Sequence, residues 1–236
     1  MPQSKYHLKE NLIHVWSCSF SKSKSKLSRF EGFLSENEKK RAAKVKFEKD
    51  KSSFIISRGV LREILSGYLG ISPSKVTFEY TSYGKPFLSK YNLKFNISHS
   101  GDLAVFVFNM ESEIGVDIER IKNNLNVLEL TDNFFSKNEI ESLHAMPPEQ
   151  LNRAFYRCWT RKEAFIKAEG SGLSFPLNQF TVSLDNDCQA TLLKTEWDSS
   201  EKENWSLFSF VPEDGYLVAV AVRQKLVSVR YFSFEQ

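Results

Sequence analysis

Cysteine, proline and glycine are all scarce in this chain, at 3, 7 and 10 of 236 residues. So little glycine and proline excludes collagen-like and low-complexity chains. Cys18, Cys158 and Cys188 are odd in number, far apart and without metal-ligand spacing, which excludes a disulfide framework and points to buried or inert thiols in a reducing compartment. Long apolar runs are missing, because no uncharged stretch approaches the roughly 20 residues of a membrane span. Met1–Glu10 mixes Lys5, His7, Lys9 and Glu10 with no signal-peptide core behind it. The expectation is a soluble, cytoplasmic protein. A large excess of one charge is missing too: 32 Lys and Arg against 29 Asp and Glu leave a net +3, too little for the whole surface to bind nucleic acid.

What is present is the composition of a globular chain, 41% hydrophobic and 26% charged, with 20 Phe, 8 Tyr and 4 Trp to fill a core. The length suits one large domain or two intimately packed halves. Charge is uneven. Residues 36–51 hold Lys39, Lys40, Arg41, Lys44, Lys46, Lys49 and Lys51 against Glu36, Glu38, Glu48 and Asp50, which is either a solvated helix face or a site for a phosphate-bearing partner.

Periodicity places a strand over 12–20 and a solvated loop over the Ser-Lys alternation of 21–26. A capping box at Ser35-Glu36-Asn37-Glu38 opens a helix, and a longer one follows with Phe54, Ile55, Leu61, Leu65 and Leu69 at helical spacing. Short strands are predicted over 76–80, 93–98, 103–109 and 114–119, with a Tyr83-Gly84-Lys85-Pro86 turn among them. After Asn123-Asn124 the pattern returns to helix, with a second capping box at Ser136-Lys137-Asn138-Glu139 and a helix from about Glu149 to Ala168. Strands over 179–184, 206–211, 216–222 and 227–232 close the chain. Both halves run helix, turn, strands. Leu69-Gly70-Ile71-Ser72 and Phe78 correspond to Ser171-Gly172-Leu173-Ser174 and Phe180, which leaves a duplication open. The reading is an α+β fold of two pseudo-symmetric α/β lobes in tandem, 1–110 and 111–236, with a cleft between them.

Three elements carry chemistry. Asp117 and Glu119, two apart on a strand, share a face and can converge on a hard cation. Such pairs also mark solvated edge strands. The surrounding Ile114, Gly115, Val116 and Ile118 argue instead for a central strand whose charges need a partner or a metal. In Trp159-Thr160-Arg161-Lys162-Glu163-Ala164-Phe165-Ile166-Lys167, Glu163 and Lys167 share a helical face, as in an ordinary Glu-Lys pair. A third carboxylate with two lysines is also what a Mg²⁺–diphosphate site requires. Phe95-Asn96-Ile97-Ser98-His99-Ser100-Gly101-Asp102 runs a strand into a polar turn that either binds phosphate or caps itself.

These segments, in this order and spacing, resemble the signature motifs of the Sfp-type 4′-phosphopantetheinyl transferases, and Tyr83-Gly84-Lys85-Pro86 is similar to a further motif of that family. The resemblance implies a monomeric two-lobed α+β enzyme that binds coenzyme A and Mg²⁺, with Mn²⁺ an alternative, in the cleft between its lobes. It implies transfer of the phosphopantetheine arm from coenzyme A to a serine of an apo acyl or peptidyl carrier protein, releasing adenosine 3′,5′-bisphosphate. By position, Asp117, Glu119 and Glu163 would be metal ligands, with Glu163 also a base. Lys167 would stabilise the departing phosphate, and Lys85, Ser98, His99 and Lys162 would contact coenzyme A. The basic patch then offers Arg41, Lys44 and Lys46 to the 3′-phosphate, with Arg58 and Arg62 further along. The chain departs from the family at Asp50-Lys51-Ser52-Ser53, where many members carry arginines.

Carrier proteins are acidic, so a docking surface should combine bases with apolar residues. Segment 121–148, with Phe134, Phe135, Leu143, Met146 and Lys137, is the candidate, and a helix pair packing into the second lobe is the alternative for its phenylalanines. Competing readings are a Mg²⁺-dependent hydrolase of nucleotide diphosphates and a non-catalytic carrier-binding module. The second is disfavoured because all three carboxylates and Lys167 are present.

Overall fold

The apolar–polar alternation at the start of the chain forms strand β1 (Leu12–Ser19). The computed structural model describes residues 4–122, 127–170, 172, 175–225 and 227–234. The Asn123-Asn124 turn, and Ser171, Leu173 and Ser174 of the possible repeat, fall outside them. The expected loop at 21–26 is instead helical, through α1 (Phe20–Ser23) and a 3-10 turn into α2 (Leu27–Phe33). The cause lies outside the segment. Ser19 Oγ accepts from Lys22 N, and the Asp102 carboxylate accepts from Ser19 Oγ and Ser21 Oγ at 2.7 Å each and from Ser21 N at 3.0 Å. Those bonds supply the first-turn partners that the Ser-Lys sequence itself lacks.

Ser35 opens α3 (Glu36–Ala43) with both bonds of the predicted capping box, and α4 (Glu48–Leu69) follows. β2 (Glu79–Tyr80) and β3 (Pro86–Phe87) pair around the Tyr83-Gly84-Lys85 turn, leaving 76–78 outside the strand expected there. Next come β4 (Lys94–Ser100), β5 (Leu103–Asn109) and β6 (Ile114–Arg120), then α5 (Val127–Phe134), α6 (Lys137–His144) and α7 (Pro148–Glu169). β7 (Phe180–Val182), β8 (Leu192–Thr195), β9 (Ser206–Phe210), β10 (Tyr216–Val222) and β11 (Ser228–Ser233) complete the chain.

Two antiparallel-rich sheets result, one of order β11-β1-β5-β4 and one of order β6-β10-β9. They pack face to face. Ile13, Val15, Val105 and Val107 of the first meet Val116, Ile118, Val218 and Val220 of the second. The outer face of the first sheet, with Trp16, Phe106 and Phe108, is covered by Ile56, Val60 and Ile64 of α4. The outer face of the second, with Leu217, Ala219 and Ala221, is covered by Phe165 and Ala168 of α7. The layers are therefore helix, sheet, sheet, helix. Each long helix spans 22 residues, ends at a glycine in the left-handed region (Gly70, Gly170), and is preceded by an 8-residue helix with a capping box. The two lobes thus repeat one plan.

One expectation is corrected. β6 is an edge of its sheet, not a central strand, but its free edge is sealed by β4: Asn96 Oδ1 accepts from Val116 N at 3.0 Å and Ser100 Oγ from Arg120 N at 3.1 Å. At the C-terminus, β11 crosses back and runs parallel to β1. The sheet of the N-terminal lobe is therefore completed by residues from the far end of the chain. Among the described residues no helix is long and apolar enough to cross a membrane. Cys18 and Cys158 are buried, as expected, while Cys188 is exposed.

Candidate functional site

Ile114, Val116 and Ile118 point into the core between the sheets, so strand alternation turns Gly115, Asp117 and Glu119 toward α7. The helix comes unusually close. A Cβ on Gly115 would lie 2.1 Å from Ala164 O and 2.4 Å from Ala168 N, so only glycine permits this contact. Glu163 and Lys167, one turn apart on α7, are thereby set beside Asp117 and Glu119. Lys167 Nζ lies 2.5 Å from Asp117 Oδ1 and 3.1 Å from Ser98 Oγ.

β4 supplies the opposite wall. Ser98 Oγ donates to Asp117 Oδ1 at 2.9 Å, and Ser100 Oγ donates to Glu119 Oε2 at 2.8 Å. His99 projects from the other face of the strand, its ring edge-on to Phe20 at 5.9 Å. It is exposed, yet partial desolvation of the ring, then the charges of Lys167 and Arg58, hold its pKa below the ordinary value. Cations from both lobes therefore flank one imidazole.

The carboxylates are strained in their charged form. Burial raises the pKa of Asp117 against the opposing pull of Lys167 and Ser98. Burial and the neighbouring Asp117 raise that of Glu119. Glu163 is pushed up to about 7, by burial first and by Asp117 and Glu119, with Lys167 opposing. Asp117 Oδ2 is buried with no hydrogen-bond partner among the described residues. These are the marks of a cluster with a deficit of positive charge.

On the N-terminal side, Arg41 and Arg58 flank the ring of Phe54, at 5.5 and 5.8 Å from its centroid. Arg58 is 8% exposed, its Nη1 has no partner among the described residues, and burial lowers its pKa. Lys44 is exposed at the end of α3. Arg62 is not available: it binds Glu38 Oε2 through Nε at 2.9 Å and Nη2 at 2.6 Å, and donates to the carbonyls of Pro73 and Val76.

Two residues expected to contact coenzyme A have their ammonium groups on protein partners in this structure. Lys162 is 0% exposed, with Glu139 at 2.8 Å and the carbonyls of Leu177 and Phe180 at 2.7 and 2.6 Å. One residue along a helix is a rotation of about 100°, so Lys162 points into the lobe core while Glu163 faces Asp117 and Glu119. Lys85 is nearly buried, with its ammonium 2.8 Å from Lys167 O and 3.3 Å from both Ile114 O and Glu113 Oε2. The structure thus gathers Ser98, His99, Asp117, Glu119, Glu163 and Lys167 and sets Arg41 and Arg58 nearby. Lys85 and Lys162 are engaged elsewhere.

Among the described residues no three His, Cys, Asp or Glu side chains close on one point as a coordination sphere. The lysine that pairs with Asp117 supplies part of the missing positive charge. The chemistry nevertheless fits a hard divalent ion: three oxygen-donor carboxylates, one with an unpartnered buried oxygen, in a setting that disfavours their charge.

Comparison with known proteins adds independent findings. Residues 113–221 match a family model described as the 4′-phosphopantetheinyl transferase superfamily, and residues 16–111 match one described as 4′-phosphopantetheinyl transferase, N-terminal. The chain is 36% identical over 214 residues to the 4′-phosphopantetheinyl transferase HetI of Nostoc sp., covering 89% of this chain and 87% of that one. It is 34% identical over 165 residues to the 4′-phosphopantetheinyl transferase Sfp of Bacillus subtilis, with 70% and 72% covered. It is 32% identical over 209 residues to the L-aminoadipate-semialdehyde dehydrogenase-phosphopantetheinyl transferase of Mus musculus, with 81% and 67% covered.

Proposed function

The chain belongs to the 4′-phosphopantetheinyl transferases, which move phosphopantetheine onto carrier proteins, and we propose that its interlobe cleft does so with coenzyme A as donor and Mg²⁺ or Mn²⁺ held by Asp117, Glu119 and Glu163. The observation that supports the site assignment is the buried Asp117, with one oxygen on Lys167 and Ser98 and the other without a hydrogen-bond partner among the described residues, near Glu119 and Glu163. A divalent ion held by these carboxylates would supply positive charge to the diphosphate and help orient it. The rest falls to the protein. Serine Oγ of the carrier attacks the phosphorus that bears the pantetheine arm, an O–P bond forms, and the bond to the nucleotide phosphate breaks. Glu163, on the cleft face of α7, accepts the serine proton. Lys167 neutralises the charge that develops on the departing adenosine 3′,5′-bisphosphate. Ser98 and Ser100 hold the carboxylates in place, and His99 lines the phosphate path.

The 3′-phosphate falls to Arg41 and Lys44, as the patch suggests, joined by Arg58, whose Nη1, without a partner among the described residues, is a hydrogen-bond donor open to an anion. For the carrier, Phe134 and Leu130 of α5 are 47% and 41% exposed, with Lys137 exposed nearby. Phe135 and Leu143 of the same candidate surface are buried in the lobe core. We place the enzyme in the cytoplasm as a monomer, in keeping with cysteines that form no disulfide framework.

The test is the intact mass of an apo acyl carrier protein and an apo peptidyl carrier domain after incubation with this protein, coenzyme A and Mg²⁺. One phosphopantetheine adds roughly 340 Da by its formula. The gain should disappear with Asp117→Ala or excess EDTA, and return to the EDTA-treated protein on adding back Mg²⁺ or Mn²⁺. Hydrolysis of coenzyme A without modification of either carrier would point to a hydrolase.

A further inference from the structure

The Tyr83-Gly84-Lys85 turn belongs to the N-terminal lobe, yet its lysine ends in the C-terminal one. Lys85 N donates to Thr81 Oγ1 at 3.1 Å, while Thr81 N donates to Lys85 O at 3.0 Å, which fixes the turn. From there Nζ reaches Lys167 O at 2.8 Å and Ala168 O at 3.4 Å, carbonyls of the last turn of α7, and Ile114 O at 3.3 Å, the first residue of β6. Glu113, at 3.3 Å, supplies the countercharge and is itself held at 2.6 Å by Lys94. The side chain is 14% exposed.

The location matters. Carbonyls of a last helical turn lack intrahelical donors and form the negative end of the helix dipole, so an ammonium there is doubly favoured. It is also adjacent to Gly115, where the backbone of α7 rests directly on β6. The register of α7 on β6 at this point decides where Glu163 and Lys167 stand relative to Asp117 and Glu119. Slipping a helix by one residue moves it about 1.5 Å and rotates its side chains about 100°. Misplacement on that scale costs up to about 100-fold in a reaction that depends on alignment.

We infer that Lys85 is a positioning residue: its ammonium pins the last turn of α7 to the start of β6 and so fixes the catalytic face of α7, rather than contacting coenzyme A. This rests on the transferase reading and assigns within it a role different from the one the family resemblance implies. Partial burial lowers the Lys85 pKa, and the charge of Glu113 and its bond to the ammonium oppose that shift.

The two roles separate in kinetics. With the full-length protein and an apo carrier, kcat is measured at saturating coenzyme A, and the coenzyme A Kd by calorimetry. For Lys85→Met, kcat should fall about 10–100-fold while Kd stays within about 2-fold. Should that variant fail to fold, Lys85→Arg keeps the charge but cannot seat three hydrogens on the same acceptors. It should lower kcat about 3–10-fold, again at constant Kd. A Kd raised about 10-fold or more with kcat preserved would overturn the inference and return Lys85 to the substrate. Unchanged kcat in Lys85→Met would overturn it too. Failure of the wild-type protein to modify any carrier would instead defeat the transferase reading.

Discussion

Arg58 and Lys162 were equivalent in the sequence, each a basic residue in a helix near a suspected phosphate site. Packing separates them. Arg58 has a buried guanidinium with an unused Nη1 and Phe54 beside it, whereas Lys162 spends its ammonium on Glu139 and two carbonyls. The carboxylates were legible because their chemistry follows from spacing: Asp117 and Glu119 two apart on a strand, Glu163 and Lys167 four apart on a helix. Which way a single helical base turns depends on neighbours from other elements, which spacing does not encode. The Arg58 assignment makes a selective prediction. Arg58→Met removes a buried, partly unsatisfied charge, so the fold should be as stable as wild type or more so. Loss of a buried charged donor to the 3′-phosphate should lower kcat/KM for coenzyme A about 10–100-fold and leave dephospho-coenzyme A nearly unaffected. If both donors lose activity equally, Arg58 does not read the 3′-phosphate.

Among elements, the two capping-box helices, the 22-residue helices and the apolar strands were all readable, because their start, stop and period signals are local. The failures share a cause. α1 forms because Asp102, in the turn between β4 and β5, binds Ser19 and Ser21, and β6 tolerates charges at a sheet edge because β4 seals that edge. Neither support is visible in the segment itself. The joint between α6, α7 and β7 is a third case: Glu139 caps its own helix through Ser136 N, accepts from Val182 N, and pairs with Lys162, all out of water. Lys162→Met should therefore cost about 3–5 kcal/mol in urea unfolding, because it leaves Glu139 buried and unpaired. Adding Glu139→Gln should recover part of that loss. The coenzyme A Kd of the folded variant should match wild type, and a markedly weaker Kd without loss of stability would put Lys162 back in the site.

At the scale of the whole molecule, two lobes of one plan follow from the repeated order of helices and strands, but their tie at the chain ends does not. β11 lies parallel to β1, a pairing between residues more than two hundred positions apart with no turn to announce it. His14 sits under this tie. It is 2% exposed, with Nδ1 2.7 Å from the Tyr68 hydroxyl of α4 and its ring edge-on to Phe232 of β11 at 4.8 Å. Burial first, then the charge of Arg230, depresses its pKa from 6.5 to about 4. The folded protein thus keeps His14 neutral where the unfolded chain takes up a proton, so folding stability is lost as pH falls from about 6.5 toward 4. Each pH unit within that window costs up to about 1.4 kcal/mol from this group alone. Carboxylates titrate in the same range, so the informative quantity is a difference. Urea unfolding free energies of wild type and His14→Phe, measured from pH 7 to pH 4.5, should converge as the pH falls, the wild type losing about 2 kcal/mol more than the variant. Parallel curves would mean that His14 is protonated within the fold, and that the β1–β11 tie accommodates the charge.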